Sequence, residues 1–375
     1  MRKILILTGR YLPGFKDGGP VRSILNLTEW FGDEFDLRIM CLDRDHGDAS
    51  PYPNIRIREF NEVGKARVWY TPSFNEEDIA MLSGEADVVY CCGPYNDYAR
   101  AAMKLKRDGK IAAPLFVASM GSFSPEAFRI KGFKKKAFVA YMKMSGMFKN
   151  IVWSVTSNRE EEELKAVVGK DAKCVIAEDL ARRGSQEHGA VKEKDKLKML
   201  FLSRISRKKN LIVVPDILRS VDSRYEILID IYGVPEDREY LDECVEKFKT
   251  LPDNIKWEYK GELASDAVPK VFADYDAFLF PTLGENYGHV IAEALFAGCV
   301  PVISDTTPWL DFEEKGCGYV CSLRDITSFA EKVEKLAAYD ETEYSKISDR
   351  CHEYINAKNE KASVHSGYRK IFEGL

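Results

Sequence analysis

Two carboxylates eight residues apart, Glu285 and Glu293, stand in the apolar, glycine-rich run PTLGENYGHVIAEALFAGCVPVIS at residues 281–304. Glu285 follows a strand-like run and lies between Gly284 and Gly288, where parallel sheets place ligands. A helix opening near Gly288 can aim the N–H groups of its first turn at a phosphate. Glu293 falls inside that helix among Val290, Ile291, Ala294 and Leu295. A carboxylate there needs a partner, because an unpaired buried charge is costly. Ribose hydroxyls can supply one, and so can an internal lysine or arginine.

Two further stretches read as anion sites. FLSRISRKKNL at residues 201–211 carries Arg204 and Lys209 in an R-x4-K spacing, after the first strand of the chain's second half. A guanidinium grips a phosphate with paired donors and an ammonium acts as a point charge, so the two can hold adjacent phosphates. PGFKDGGPVRSI at residues 13–24 follows the opening strand. Gly18 and Gly19 allow close backbone approach, and Pro20 suits the first position of a helix. Each stretch alone also has a purely structural reading: a solvated basic loop, or a tight strand-to-helix turn.

The elements that must position these residues follow an alternating pattern. Short β-branched or aromatic runs at 3–8, 36–42, 86–92, 114–120, 150–156 and 173–178 are separated by helical segments, which predicts a parallel sheet with crossover helices. Ser157 and Glu160 have the spacing of a capping box. The text from Asp179 to Lys198 is polar and reads as a linker. The rhythm then restarts with strands at 198–203, 225–233, 254–261, 277–282 and 300–304 and a helix from about Asn210. The expected fold is α/β, with two doubly wound Rossmann-like domains facing a cleft: residues 1–185, and residues 186–356.

Composition narrows the function. At 375 residues the chain exceeds the roughly 250–300 at which one core stops growing. A net charge of -5 speaks against a general nucleic-acid binder. The nine cysteines lie mostly in apolar runs and read as reduced thiols; Cys317 and Cys321 have a metal-ligand spacing but no flanking histidine or second pair, so no metal is expected. The apolar run Ile4–Leu7 is too short for a signal peptide, and no stretch reaches the ~18–20 apolar residues of a spanning helix. The expectation is a cytoplasmic protein.

The E-x7-E run GENYGHVIAE, the downstream AL..G.PVI, the R-x4-K loop and the early GGP turn, in this order, resemble retaining glycosyltransferase family 4. The resemblance covers most of the chain and implies the glycosyltransferase B fold, with a last helix, about 357–375, that packs back on the first domain. It implies transfer of a sugar from a nucleotide-diphosphate sugar to a hydroxyl acceptor, a saccharide or lipid-linked saccharide, without cofactor or metal. By the same resemblance Arg204 and Lys209 neutralise the donor diphosphate, and Glu285 holds hydroxyls of the donor sugar, aided by the backbone of Asn286, Tyr287 and Gly288. His289 and Val290 offer N–H groups to the phosphates, Glu293 binds the ribose, and Gly18 and Gly19 approach the phosphates from the first domain. The base is read by backbone near Gly261 and Leu263.

The chain departs from the family in one respect. Many relatives carry a first-domain histidine beside the reacting sugar, and PLFVASMGSFSP has Met120 there. His46 is the one other histidine that can face the site from that domain, and a backbone carbonyl near Met120 to Ser122 can take the same hydrogen-bonding part. Two alternatives fit the same motifs: a nucleotide-sugar epimerase and a non-catalytic nucleotide-sugar-binding subunit. Residues 128–150 add seven lysines and arginines interleaved with five aromatics, a pattern that lies on an anionic membrane surface or forms a helix with a solvated basic face.

Overall fold

The computed structural model describes residues 1–125, 132–183, 189, 191–264, 267–364 and 367–374. The chain divides into two compact units, Met1–Leu180 with Lys361–Leu375, and Ala181–Glu360. Each is a twisted sheet of the doubly wound type.

The first sheet contains β1 (Lys3–Leu7), β2 (Asp36–Leu42), β3 (Phe60–Val63), β4 (Ala66–Thr71), β5 (Val88–Cys92), β6 (Leu115–Ala118), β7 (Ile151–Val155) and β8 (Cys174–Ile176). Their order is β3-β4-β2-β1-β5-β6-β7-β8, and all pairs are parallel except β3 with β4. Successive residues of β1 feed two different cores: Ile4 and Ile6 join one apolar cluster, Leu5 and Leu7 another. A strand buried on both faces must read as a continuous apolar run, and KILIL does. The β3–β4 hairpin is not anticipated by the sequence pattern. Its strands, FNEV and ARVWYT, form neither a continuous apolar run nor a regular alternation, and Arg67 and Arg38 both stand 5.5 Å from the Phe60 ring.

The second sheet contains β9 (Lys196–Leu202), β10 (Glu226–Tyr232), β11 (Ile255–Gly261), β12 (Ala277–Phe280), β13 (Val300–Ser304) and β14 (Tyr319–Cys321). Its order is β11-β10-β9-β12-β13-β14, parallel throughout. The expected helix from about Asn210 is corrected. Asn210 has φ 60°, which an α-helix cannot continue through, so the chain makes two 3-10 turns, Arg207–Lys209 and Leu211–Val213, before the α-helix Val214–Arg219.

Two contacts shape the first unit. The helix Gly367–Glu373 buries Tyr368, Ile371 and Phe372, and the Phe372 ring lies 5.6 Å from Phe31 and 5.3 Å from Phe35. Gly367 has to be glycine, since a Cβ there would come within 1.9 Å of the Ile176 carbonyl oxygen. At the other contact Ser157 caps the helix Asn158–Val168, its Oγ accepting from the Glu160 N–H at 3.2 Å. The Glu160 carboxylate does not close the capping box on Ser157. It accepts instead from the Thr156 N–H at 2.7 Å, the Thr156 hydroxyl at 2.8 Å and the Gly121 N–H at 2.5 Å. Those bonds hold the turn after β6, where Met120 and Gly121 both have positive φ, 48° and 68°. A left-handed methionine persists only when its surroundings over-determine it.

Phe372→Ala is expected to destabilise the first unit by about 3–5 kcal/mol, read as a lowered urea midpoint with faster hydrogen exchange in β1 and β2. Glu160→Ala strands two main-chain donors at about 1–3 kcal/mol each, and amide exchange at Gly121 and Thr156 should accelerate. Unchanged exchange at Gly121 would show that the turn is held by something else.

Candidate functional site

In an open parallel sheet, ligands bind beyond the C-terminal ends of the strands at the point where strand order reverses. In the second unit that point lies between β9 and β12, which are neighbours in the sheet. Arg204 and Lys209 follow β9, and Glu285 follows β12. The structure therefore brings together residues 76 positions apart: the Lys209 ammonium donates to Glu285 Oε1 in a close ion pair. Only 15% of the Lys209 side chain and 11% of the Glu285 side chain are exposed. Burial pulls the Lys209 ammonium below the ordinary lysine value, and the carboxylate of Glu285 opposes that shift.

The two loops are docked by backbone as well as charge. The Leu283 N–H donates to the Lys208 carbonyl at 2.9 Å, and the Asn210 amide donates to the Pro281 carbonyl at 2.9 Å. Thr282 Oγ1 stands 3.3 Å from Glu285 Oε1, and the hydroxyls of Ser304 and Thr306 both donate to the Thr282 carbonyl, at 2.6 and 2.7 Å. Lys209 also sits 5.4 Å from the centre of the Phe280 ring. Arg204, half exposed, pairs with Glu236 in the loop after β10. Sequence reasoning did not find Glu236, Thr282 or Thr306, although each follows the C-terminal end of a strand.

Gly288, at φ 84°, is the N-cap of the helix His289–Phe296. A Cβ there would press on Ile291 at 2.9 Å, so glycine is needed for both angle and space. The first-turn N–H groups of such a helix, those of His289 and Val290, have no acceptor within the helix itself. Asn286 and Tyr287 complete the loop, whose path is fixed by the Trp309 indole donating to the Tyr287 carbonyl at 2.5 Å. Glu293 is 7% exposed on the inner face of this helix, as the apolar text around it requires. Gly261 ends β11 with φ 78°, its carbonyl accepting from the Gly233 N–H at 2.8 Å, and Leu263 packs against the core beside it. A cavity of about 650 Å³ lies at the opposite, N-terminal edge of this sheet, lined by Lys196, Lys198, Lys256 and Asp276. It lacks the glycine turns and the docked loops of the C-terminal edge.

In the first unit the order reverses between β1 and β5, and a pocket of about 340 Å³ opens there. Thr8, Arg10 and Asp17 line one side, and Cys92, Asn96 and Met120 another. Gly18 is the N-cap, and Gly19 the first residue, of the helix Gly19–Phe31 beside it. Asp17 accepts from Arg10 at 2.9 Å and lies 3.0 Å from Nδ1 of His46, whose ring is mostly exposed. Met120 and Ser122 also line this pocket. Burial pushes the Cys92 thiol up to about 12, so it stays protonated and is no nucleophile at neutral pH.

Residues 185–356 match the family Glycosyl transferases group 1. Over 375 aligned residues the chain is 21% identical to an uncharacterized 41.2 kDa protein in the cps region of Klebsiella pneumoniae, covering 95% of this chain and 96% of that one. Among solved structures it is similar to sucrose-phosphate synthase from Thermosynechococcus elongatus, with 14% identity, TM-score 0.69 and full coverage of both chains. It is similar also to Anabaena HepE in complex with UDP and glucose, with 13% identity, TM-score 0.63 and coverage of 96% and 99%. The chain has the glycosyltransferase B fold, and the match to the glycosyl transferases group 1 model falls on its second unit.

Proposed function

We propose that the protein is a retaining glycosyltransferase that moves a sugar from a nucleotide-diphosphate donor to a hydroxyl acceptor in surface polysaccharide or glycolipid synthesis. The observation that carries this reading is the buried Lys209–Glu285 pair at the reversal point of the second sheet, with Arg204 on the same strand end. Arg204 and Lys209 would stabilise the charge that develops on the departing diphosphate, with the N–H groups of His289 and Val290 adding to it. Glu285 would hold hydroxyls of the donor sugar, and Glu293 the ribose. Gly261 and Leu263 would read the base through backbone. The cationic pair does the work of a metal, and the departing diphosphate helps activate the incoming hydroxyl from the same face. The pocket of the first unit would take the acceptor, with the carbonyls of the Met120–Ser122 turn in place of a histidine. HepE, of similar fold, binds UDP and glucose, which makes UDP sugars the first donors to try.

The relative in a cps region favours an acceptor at the membrane, and we propose that the 128–150 segment docks on anionic lipid on the cytoplasmic side. Residues 128–131 lie outside the described residues. In the helix Gly132–Met144, Lys136, Lys143, Tyr141 and Met144 face solvent, with Tyr141 55% and Met144 83% exposed. Phe138 and Phe148 turn inward instead, against Tyr95 and Trp153 at 5.4 and 5.3 Å, so they add nothing to a lipid contact. Among the described residues no helix is long and apolar enough to cross a membrane.

A thermal-shift screen of nucleotide sugars should find one donor that adds roughly 2.7 kcal/mol at a hundred times its Kd. With that donor, Arg204→Ala and Lys209→Gln should each lower kcat/KM about ten- to a hundredfold, in chelator as well as without it. Arg204→Ala should fold normally. Lys209→Ala should be less stable than Lys209→Gln, because alanine leaves the buried Glu285 with neither its cation nor the amide donor that glutamine keeps. Donor binding with no turnover of any acceptor would reduce the protein to a binding subunit.

For the membrane contact, replacing Lys136 and Lys143 by glutamine should remove about 2 kcal/mol of attraction, roughly thirtyfold in vesicle co-sedimentation. Equal binding to anionic and neutral vesicles, or none to either, would leave this helix an ordinary basic surface.

A further inference from the structure

We propose that Glu236 competes with the donor diphosphate for Arg204, and so sets how tightly the second unit holds any diphosphate. This rests on the reading of Arg204 as a diphosphate contact.

Glu236 meets Arg204 for a reason deeper than two long side chains touching at a surface. The pairing of β9 with β10 continues past the ends of both strands. The Ser203 N–H donates to the Tyr232 carbonyl at 3.1 Å, the Ile205 N–H to the Val234 carbonyl at 2.8 Å, and the Glu236 N–H to the Ile205 carbonyl at 3.0 Å. Gly233 makes the close approach possible: a Cβ there would fall 1.7 Å from the Ser203 carbonyl oxygen. Tyr259 locks the same glycine by donating its hydroxyl to the Gly233 carbonyl at 2.8 Å. The backbones on either side of the Arg204–Glu236 ion pair are thus fixed before the side chains meet, and little conformational entropy is lost in closing it.

A phosphate arriving at Arg204 must displace this carboxylate or share the guanidinium with it. Glu285 differs, because it faces Lys209 from a buried position and is expected to hold the donor sugar itself. Glu236 has no such part. It is half exposed, 42% for its side chain, and free to swing into water once Arg204 is taken by a phosphate. Arg204 and Lys209 are therefore both occupied by carboxylates when the site is empty, and a diphosphate must displace one of them or share its cation. The effect has a bounded size. An exposed ion pair is worth little in water, so its removal should tighten diphosphate binding about two- to fivefold and no more.

The experiment is isothermal titration of inorganic pyrophosphate, which carries the shared diphosphate chemistry without sugar or base, and of UDP in parallel. The proteins are the full chain, Glu236→Gln, Arg204→Gln and the double variant. Glu236→Gln should tighten both ligands two- to fivefold, and the gain should vanish in the Arg204→Gln background, because the competition runs through that guanidinium. Equal tightening in both backgrounds would overturn the proposal in favour of general repulsion by one negative charge. Unchanged or weaker binding in Glu236→Gln would overturn it outright. If the full chain binds neither pyrophosphate nor UDP, the diphosphate reading of the site fails and this proposal fails with it. Binding by the full chain with no response to Glu236→Gln refutes the competition alone.

Discussion

A lysine and a glutamate held largely out of water against each other impose the main constraint on the second unit. Withdrawing two ions from solvent costs several kcal/mol each, and their attraction offsets this only when geometry and further hydrogen bonds are favourable. Lys209 and Glu285 meet that condition because the loops carrying them are docked, Leu283 on Lys208 and Asn210 on Pro281. The docking in turn requires β9 and β12 to be adjacent, which the reversal of strand order provides. Ser304 and Thr306 brace the same loop from β13 and the residues after it. Charge and loop docking both rest on the order of the sheet.

The first unit meets the same geometric rule with different chemistry. Its reversal point, between β1 and β5, opens a pocket walled by small polar groups, a thiol kept neutral by burial, and the thioether of Met120. Its charged pair, Arg10 with Asp17, stands among those groups, with the Arg10 side chain 20% exposed. On the proposed function, one switch point would take anionic phosphates and the other a neutral polyol. The left-handed turn at Met120 and Gly121 belongs to the second of these, and a buried carboxylate, Glu160, holds it from the start of a helix.

The strand pattern was legible in the sequence wherever a strand is buried on both faces, because such strands must read as unbroken apolar runs. KILIL and AFLF are examples. The β3–β4 hairpin and the three-residue β14 were not, although the equally short β8 and the half-exposed β11 were. The motif residues Glu285, Arg204 and Lys209 were also legible as candidates, because glycines and charges soon after a buried strand mark the edge where a parallel sheet meets its ligand, and Glu293 was legible as a carboxylate in an apolar helix. Asn210 misled the helix assignment: its left-handed backbone leaves no trace in residue type beyond asparagine's tolerance for it.

Sequence alone therefore determined the doubly wound α/β character, the two-part organisation and the candidate site residues, since those follow from local periodicity and side-chain chemistry. Tertiary structure decided which of those residues meet. That Lys209 neutralises Glu285, that Arg204 is claimed by Glu236, and that Glu160 reaches Gly121 rather than closing its own capping box are matters of strand order and loop docking. Contacts between residues far apart in the chain depend on how separate elements pack, and residue type and spacing do not encode that one pair at a time.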